Sequence, residues 1–329
     1  MIDTSRIFSI KNKSGFSANT LEIFKYQFAN NPVYQAYCNA IHINEEQVRE
    51  VAEIPFLPIR FFKTQKIIVN GAEAEKVFVS SGTSSNSFSM HYVANLGLYK
   101  ESYIKCFESQ YGPLEEFCIL ALLPSYLERK DSSLVYMVKG MINKSNHPDS
   151  GFHLDNTEAL INQLTTLFNR GQKVLLLGVS FALLDLVQLP YFNDFNGYDN
   201  WIIMETGGMK GRREEMVRDE LHGNLSARLQ TSLIHSEYGM TELLSQAYSK
   251  GKGKFQFPAW VQMSIRDIND PFSKAENGQV GGINIIDLAN VYSCPFIATD
   301  DLGRNFDDGS FEVLGRMDHS DIRGCSQMV

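Results

Sequence analysis

Long apolar runs are missing from this sequence. The most hydrophobic stretches, 117–127 and 174–184, are each bounded by charges and fall well short of the roughly 20 apolar residues a membrane-spanning helix needs. No membrane span is therefore expected. The first residues, MIDTSRIFSIKNKSGF, contain no apolar block followed by small residues, so no secretory signal is readable and a cytoplasmic location is the expectation. Cysteine is scarce too. The five (Cys38, Cys106, Cys118, Cys294, Cys325) are odd in number, widely spread and contain no C-x-x-C pair, which argues against a disulfide scaffold and a zinc site. No H-E-x-x-H run or matching ligand spacing places His147, His153 or His235 at a metal.

Positive charge is also in deficit. Thirty Lys and Arg against 38 Asp and Glu leave a formal net charge of −8, and no cluster of basic residues is long enough to make a nucleic-acid footprint. What remains is the composition of an ordinary folded chain, with 43% hydrophobic and 21% charged residues, far from the signature of disorder. At about 150 residues per domain, 329 residues make two folding units or one large one.

The chain divides into three stretches. Residues 1–75 read as helical and irregular: LEIFKYQFANNPVYQAYCNAIHI has apolar residues at three and four spacing, Asn44 opens a charged turn, and Pro55 and Pro58 end it. From 76 to 254, short apolar runs with the look of buried strands (KVFVSS, FCILALLP, KVLLLGVS, NWIIMETG) alternate with helical segments. That alternation predicts an α/β fold with a largely parallel sheet. Two of the helical segments run into glycine, at Gly112 and Gly171, as left-handed C-terminal caps require. From 255 to 329 the helices stop and strands and turns take over, a β-rich lobe forming a distorted barrel or meander. Within it, the DDG between NF and SFEVLGR predicts a hairpin. With no fixed-period repeat and no low-complexity linker, the three stretches are expected to pack as one compact body.

Three segments carry chemistry. In SSGTSSNS, residues 80–87, seven of eight residues are Ser, Thr or Gly, directly after EKVFV. Gly82 lets the backbone turn its N–H groups inward, and the hydroxyls of Ser80, Ser81, Thr83, Ser84 and Ser85 add donors, which makes an anion cradle. A plain Ser-rich loop has the same composition, and the Walker pattern is absent. In HSEYGMTELLSQAYS, residues 235–249, Thr241 and Glu242 stand before a short amphipathic run. A carboxylate beside a hydroxyl at a helix start holds Mg²⁺ in the ion's usual mode; a cap with an acidic first turn looks alike. In residues 297–324, Asp301 is expected at a strand end, where a carboxylate accepts hydrogen bonds from both ribose hydroxyls. Arg316 follows a second strand, within reach of the same sugar or its phosphate. A solvated turn charge or a salt bridge is the alternative for each.

Taken in order, a strand followed by SSGTSS, then ETGGMKG, YGMTE, TDDL and LGRMD resembles the adenylate-forming superfamily of acyl and aryl ligases. Tyr238, Gly239, Met240, Thr241 and Glu242 match its Y-G-x-T-E in full, and Gly315, Arg316, Met317 and Asp318 its hinge. Ser85 and Asp300 stand where glycines are usual. Through IPFLPIRFFKTQ, LLPSYLERKDSSLVYMVKGMI, ETGGMKGRREE and the terminal RGCS, nearly the whole chain is most similar to acyl-protein synthetases of the LuxE type.

The resemblance implies the large N-terminal domain of an adenylate-forming enzyme without the small mobile C-terminal domain, and with it ATP and Mg²⁺ as cofactors. It implies Glu242 at the metal and Thr241, Glu242 and Lys210 at the chemistry, with Lys63, Arg60 and Arg212 as other candidates for the charge the missing domain supplies. Ser80 to Ser85, Gly207, Gly208, Tyr238, Gly239, Asp301 and Arg316 would bind the nucleotide. Cys325, four residues from the end, would accept the acyl group: Arg323 and His319 lie close in sequence, and Gly324 frees the tail. The function implied is activation of a carboxylic acid, expected to be a fatty acid, as acyl-adenylate, with transfer to Cys325 or to a partner such as a reductase or acyl carrier protein. A nucleotide-binding protein without turnover and an acyl-CoA ligase are the alternatives. The apolar run 175–192 suits an acyl pocket wall and equally a buried strand and helix.

Overall fold

Polar caps set where several helices begin. Asn12 accepts from the Gly15 N–H at 2.8 Å and opens α1 (Lys13–Asn30); Asn31 then caps α2 (Pro32–Ala40), with Pro32 in the first turn, where a missing N–H is harmless. The chain continues through β1 (Leu57–Pro58), α3 (Phe61–Thr64), β2 (Lys76–Val79) and β3 (Met90–Val93). Asn95 caps α4 (Leu96–Tyr111), β4 (Cys118–Leu122) follows, and Ser132 caps α5 (Ser133–Ser145). Next come β5 (Gly151–Phe152), α6 (Thr157–Asn169), β6 (Val174–Val179), α7 (Ser180–Val187), β7 (Trp201–Thr206) and α8 (Arg218–Leu229). The remainder is strands: β8 (His235–Tyr238), β9 (Ala247–Ser249), β10 (Phe255–Gln256), β11 (Val261–Arg266), β12 (Gly281–Asp287), β13 (Phe296–Asn305) and β14 (Phe311–Arg316). The structure is a computed structural model describing residues 2–81, 88–124, 130–153, 157–189, 198, 200–207, 216–229 and 233–317.

One strand path runs β11-β12-β13-β14-β10-β9-β8-β7-β6-β4-β5, with β1 parallel on β13. Its second half, from β8 to β5, is parallel. β4 and β6 are buried at every residue, as strands covered on both faces must be. The covering is visible in side chains of opposite parity. Tyr248 of β9 packs on Phe107 and Tyr111 of α4, whereas Glu205 of β7 meets Arg218 and His222 of α8. Helices therefore lie on both faces. The run 174–187 is a core strand and a helix buried almost throughout.

The expected parallel sheet holds for three of the four apolar runs. KVFVSS is the exception: β2 pairs antiparallel with β3 in a separate two-stranded sheet, because Lys76 and Val77 are only half-buried and its hairpin partner lies ten residues on. The C-terminal strands β11 to β14 form an antiparallel meander joined to the rest through β10. The DDG hairpin is present, with Gly309 at φ +81° and the Phe306 N–H on the Ser310 carbonyl. Gly112 and Gly171 close α4 and the turn after α6 at φ +89° and +66°.

Candidate active site

The residues of two distant sequence segments meet where β8, β13 and β14 come together. Asp301 lies inside β13 opposite Arg316 of β14, not at a strand end as expected; β13 runs on to Asn305 because β14 continues to pair with it. The Tyr238 hydroxyl donates to Asp301 Oδ2 at 2.7 Å, and Arg316 Nε stands 3.7 Å from the other oxygen. Tyr238 itself is wedged among Phe255, Phe257 and Phe311. Burial pushes the Asp301 carboxyl up, against the Tyr238 bond and the Arg316 charge, which pull it down. Arg316 is 78% exposed, so its guanidinium is open to a ligand.

Glu242 belongs to the same place. It is buried, and burial raises its carboxyl; a hydrogen bond from Ser89 and the charge of Arg316 act in the other direction, while Asp301 adds to the rise. The turn that carries it contains no helix, contrary to expectation. The buried Asp287 carboxylate takes the Leu244 and Ser245 N–H groups, each at 2.9 Å, and the Ser245 hydroxyl at 2.7 Å, donors that a first helical turn would leave to its own cap.

A second clamp was not read from the sequence. His91 of β3 bonds the Thr241 carbonyl through Nδ1 at 2.7 Å and meets Asn290 Oδ1 through Nε2 at 2.9 Å. Asn290 Nδ2 donates to the Glu242 and Cys294 carbonyls. Both ring nitrogens thus face acceptors, and a neutral ring can donate to only one of them. Burial nevertheless lowers the imidazole to about 4. No spacing signal links residues 91, 241 and 290, so only packing could reveal them.

The other sequence-derived residues divide sharply. Ser80 and Ser89 close the mouth of the Ser-rich loop, each bonding the other, with Ser81 beside them. Gly82, Thr83, Ser84 and Ser85 lie outside the described residues, as do Gly208, Lys210, Arg212, Asp318 and Cys325. Gly207, at φ +66°, follows β7 and its carbonyl accepts from Ser180 Oγ at 2.9 Å. Gly239 sits tightly: a Cβ there would stand 2.5 Å from Glu237 Oε1. Arg60 is taken by Asp300 at 3.2 Å, so the residue that replaces a glycine of the pattern engages one of the four candidate cations. Lys63 is exposed on α3.

Arg266 steadies the strand beneath. Its buried guanidinium bonds the Ile283 and Thr299 carbonyls and Asn284 Oδ1 at 2.9, 2.5 and 2.8 Å, and it lies flat over Gly282, where a Cβ would come within 2.4 Å of it. The Thr299 hydroxyl in turn accepts the Asp301 N–H at 3.1 Å. The arrangement brings two carboxylates and an exposed arginine together beside the C-terminal end of β8, the last strand of the parallel half, and the C-terminal ends of parallel strands are where α/β sheets bind ligands. No group of three or more His, Cys, Asp or Glu able to hold a metal is present among the described residues. A magnesium ion bound by one carboxylate and phosphate oxygens needs no such group.

Comparison with known proteins identifies a family from the sequence and a fold from solved structures. The profile of the acyl-protein synthetases of the LuxE type matches residues 6–329. A long-chain-fatty-acid–luciferin-component ligase of Vibrio harveyi is 23% identical over 335 residues, which is 92% of this chain and 84% of the relative. Among solved structures, 2-hydroxyisobutyryl-CoA ligase in complex with 2-HIB-AMP and CoA superimposes with TM-score 0.70 at 10% identity, over 96% of this chain and 71% of that one. ATP-bound MatB from Rhodopseudomonas palustris gives 0.55 at 16% identity over 76% of this chain. The chain spans about half the length of that MatB structure, 49%. These likenesses establish the fold.

Proposed function

The chain belongs to the LuxE family of acyl-protein synthetases, and from that membership we propose that it activates a carboxylic acid, a fatty acid in our reading, as an acyl-adenylate and passes the acyl group to a thiol. The observation that carries this is the Tyr238–Asp301 hydrogen bond beside Arg316 and Glu242. It joins the intact Y-G-M-T-E segment to T-D-D-L and to the hinge arginine. The acid's carboxylate oxygen attacks the α-phosphorus of ATP, the bond to the β-phosphate oxygen breaks, and pyrophosphate leaves. Asp301 orients the ribose through its hydroxyls; Arg316 and the polar loop after β2 meet phosphate oxygens. Glu242 would hold a magnesium ion, which offsets the charge of the triphosphate.

In the second step a thiolate attacks the adenylate's carbonyl carbon and AMP leaves. We assign the thiol to Cys325. All four described cysteines are buried, and burial pushes the Cys38 and Cys106 thiols up to about 12 and that of Cys118 to about 11, the opposite of what a nucleophile needs. A reductase or an acyl carrier protein is the next acceptor in this reading. Incubation with ATP, Mg²⁺ and labelled fatty acids should release pyrophosphate and leave a hydroxylamine-labile label on the protein. Cys325→Ser should keep pyrophosphate release and lose the label. A label that persists in the variant removes Cys325 from this role, and label appearing only on added CoA would make the protein an acyl-CoA ligase instead.

A further inference from the structure

On the α4 side of β8 and β9, three polar side chains are buried together, and two of them carry an unpaired polar atom. Glu237 and Tyr248 are register partners across the two strands, and Gln246 lies two residues from Tyr248, on the same side. All three are nearly inaccessible: Glu237 is 9%, Gln246 4% and Tyr248 2% exposed. Among the described residues, the Tyr248 hydroxyl and Gln246 Oε1 have no hydrogen-bond partner. Glu237 Oε2 accepts from the Thr206 hydroxyl, while Oε1 lies directly beneath Gly239, and the Gln246 Cγ is the next atom there, 3.4 Å from the same would-be Cβ.

Buried polar groups are nearly always paired, and a lone one costs free energy comparable to a lost hydrogen bond. Two such orphans beside a buried carboxylate, one residue from the turn that carries Thr241 and Glu242, are therefore a place where something polar belongs. The position restricts what that is. Strand residues alternate in direction, so Tyr238 points to Asp301 while Glu237 points to the opposite face, between the sheet and α4. An acid whose carboxylate reacts at the 239–242 turn and whose chain runs inward between β8, β9 and α4 passes this cluster. The rest of that interior is aromatic, with Tyr99, Phe107 and Tyr111. A group that both donates and accepts, on an otherwise apolar chain, matches a phenol donor, an amide acceptor and a carboxylate.

We infer that Glu237, Gln246 and Tyr248 form a subsite for a hydroxyl group carried on the acyl chain, so that the preferred acid is a hydroxylated fatty acid and not its plain parent. This rests on the acid-activating reading above and specifies the substrate class. A site built to hydrogen-bond a substrate hydroxyl discriminates strongly against the analogue lacking it, because its own polar groups are then left unpaired.

The test is acid-dependent ATP–pyrophosphate exchange by the full chain with saturated acids of graded length and the mono-hydroxylated isomers of each. The expected result is that one hydroxylated isomer exceeds its parent in kcat/KM by about tenfold or more. That ratio should fall toward one in Tyr248→Phe and in Gln246→Leu, two independent variants in case one fails to fold. A ratio at or below one for every isomer on wild type overturns the subsite, as does a preference that survives both substitutions. The same acids are also read without ATP as shifts in melting temperature, which need no turnover. If no acid drives exchange, the activation reading fails on its own. A larger shift with a hydroxylated acid that disappears in Tyr248→Phe still supports the subsite, and equal or absent shifts overturn it.

Discussion

Asp301 and Glu242 are the two carboxylates on which the nucleotide chemistry turns, and they should fail in different ways. Glu242 is isolated from solvent at the edge of the turn, where exchanging its charge for an amide leaves size and the Ser89 contact in place. Glu242→Gln should keep the fold and lose most magnesium-dependent pyrophosphate release; near wild-type turnover with an unchanged magnesium requirement would refute its assignment. Asp301, held by Tyr238 and faced by Arg316, is assigned to binding. Asp301→Ala should raise the KM for ATP far more than that for the acid, since each hydrogen bond to a charged acceptor is worth on the order of 1.5 to 3 kcal/mol. If Asp300→Ala does this and Asp301→Ala does not, the ribose is held one residue earlier. The Arg60 contact to Asp300 speaks for Asp301, because it directs the neighbouring carboxylate elsewhere.

β13 delivers Asp301 in register only because glycines let other groups through. Gly282 leaves room for the Arg266 guanidinium to cross onto the Thr299 carbonyl, and Gly303 allows the Glu312 carbonyl to approach within 2.3 Å of where its Cβ would be. Gly282→Ala puts a methyl group into a guanidinium pinned by three hydrogen bonds. The expected cost is about 1 to 3 kcal/mol of stability, and the displaced Thr299 segment should raise the KM for ATP with smaller change in kcat. An unchanged KM at reduced melting temperature would mean that Arg266 serves the fold alone. The turn 239–246 is determined in the same way, by Asp287 and by the His91–Asn290 clamp acting from other elements, which is why it is not the helix its local pattern favours.

Proton balance of the whole fold is set by buried groups of opposite kinds. Burial pushes Glu237 from its ordinary 4.5 up to about 7, opposed by the Thr206 bond and reinforced by the charge of Glu205. The folded chain thus holds a proton that the unfolded chain gives up. Its contribution to stability is full below about pH 4.5 and is lost as pH rises through about 7. His91 and His235 run the other way: burial lowers both from 6.5 to about 4, so their contribution is full above pH 6.5 and is lost as pH falls through about 4. Glu237→Gln removes the first contribution and leaves the second. The variant's melting temperature relative to wild type should therefore climb between about pH 4.5 and 7, by the equivalent of on the order of 3 kcal/mol. A difference that stays constant over that range would show that Glu237 does not titrate there.

Periodicity and punctuation were enough to place most helices, the parallel strands β4, β6 and β7, the glycine caps at Gly112 and Gly171 and the DDG hairpin. Each depends on contacts or dihedral limits within a few residues, and those are written locally. The order of the short motifs likewise sufficed for the family, since Tyr238 to Glu242 and Gly315 to Met317 are contiguous in the chain. Partnerships between distant residues were not legible. That KVFV would leave the main sheet, that Arg60 would be engaged by Asp300, that Thr241 and Glu242 would sit in a clamped turn, and that Gln246 and Tyr248 would be buried beside Glu237 with polar atoms unpaired all depend on which surfaces meet. Those meetings are decided by burial and by competition for hydrogen bonds across the packed molecule, and such competition has no signature in local sequence.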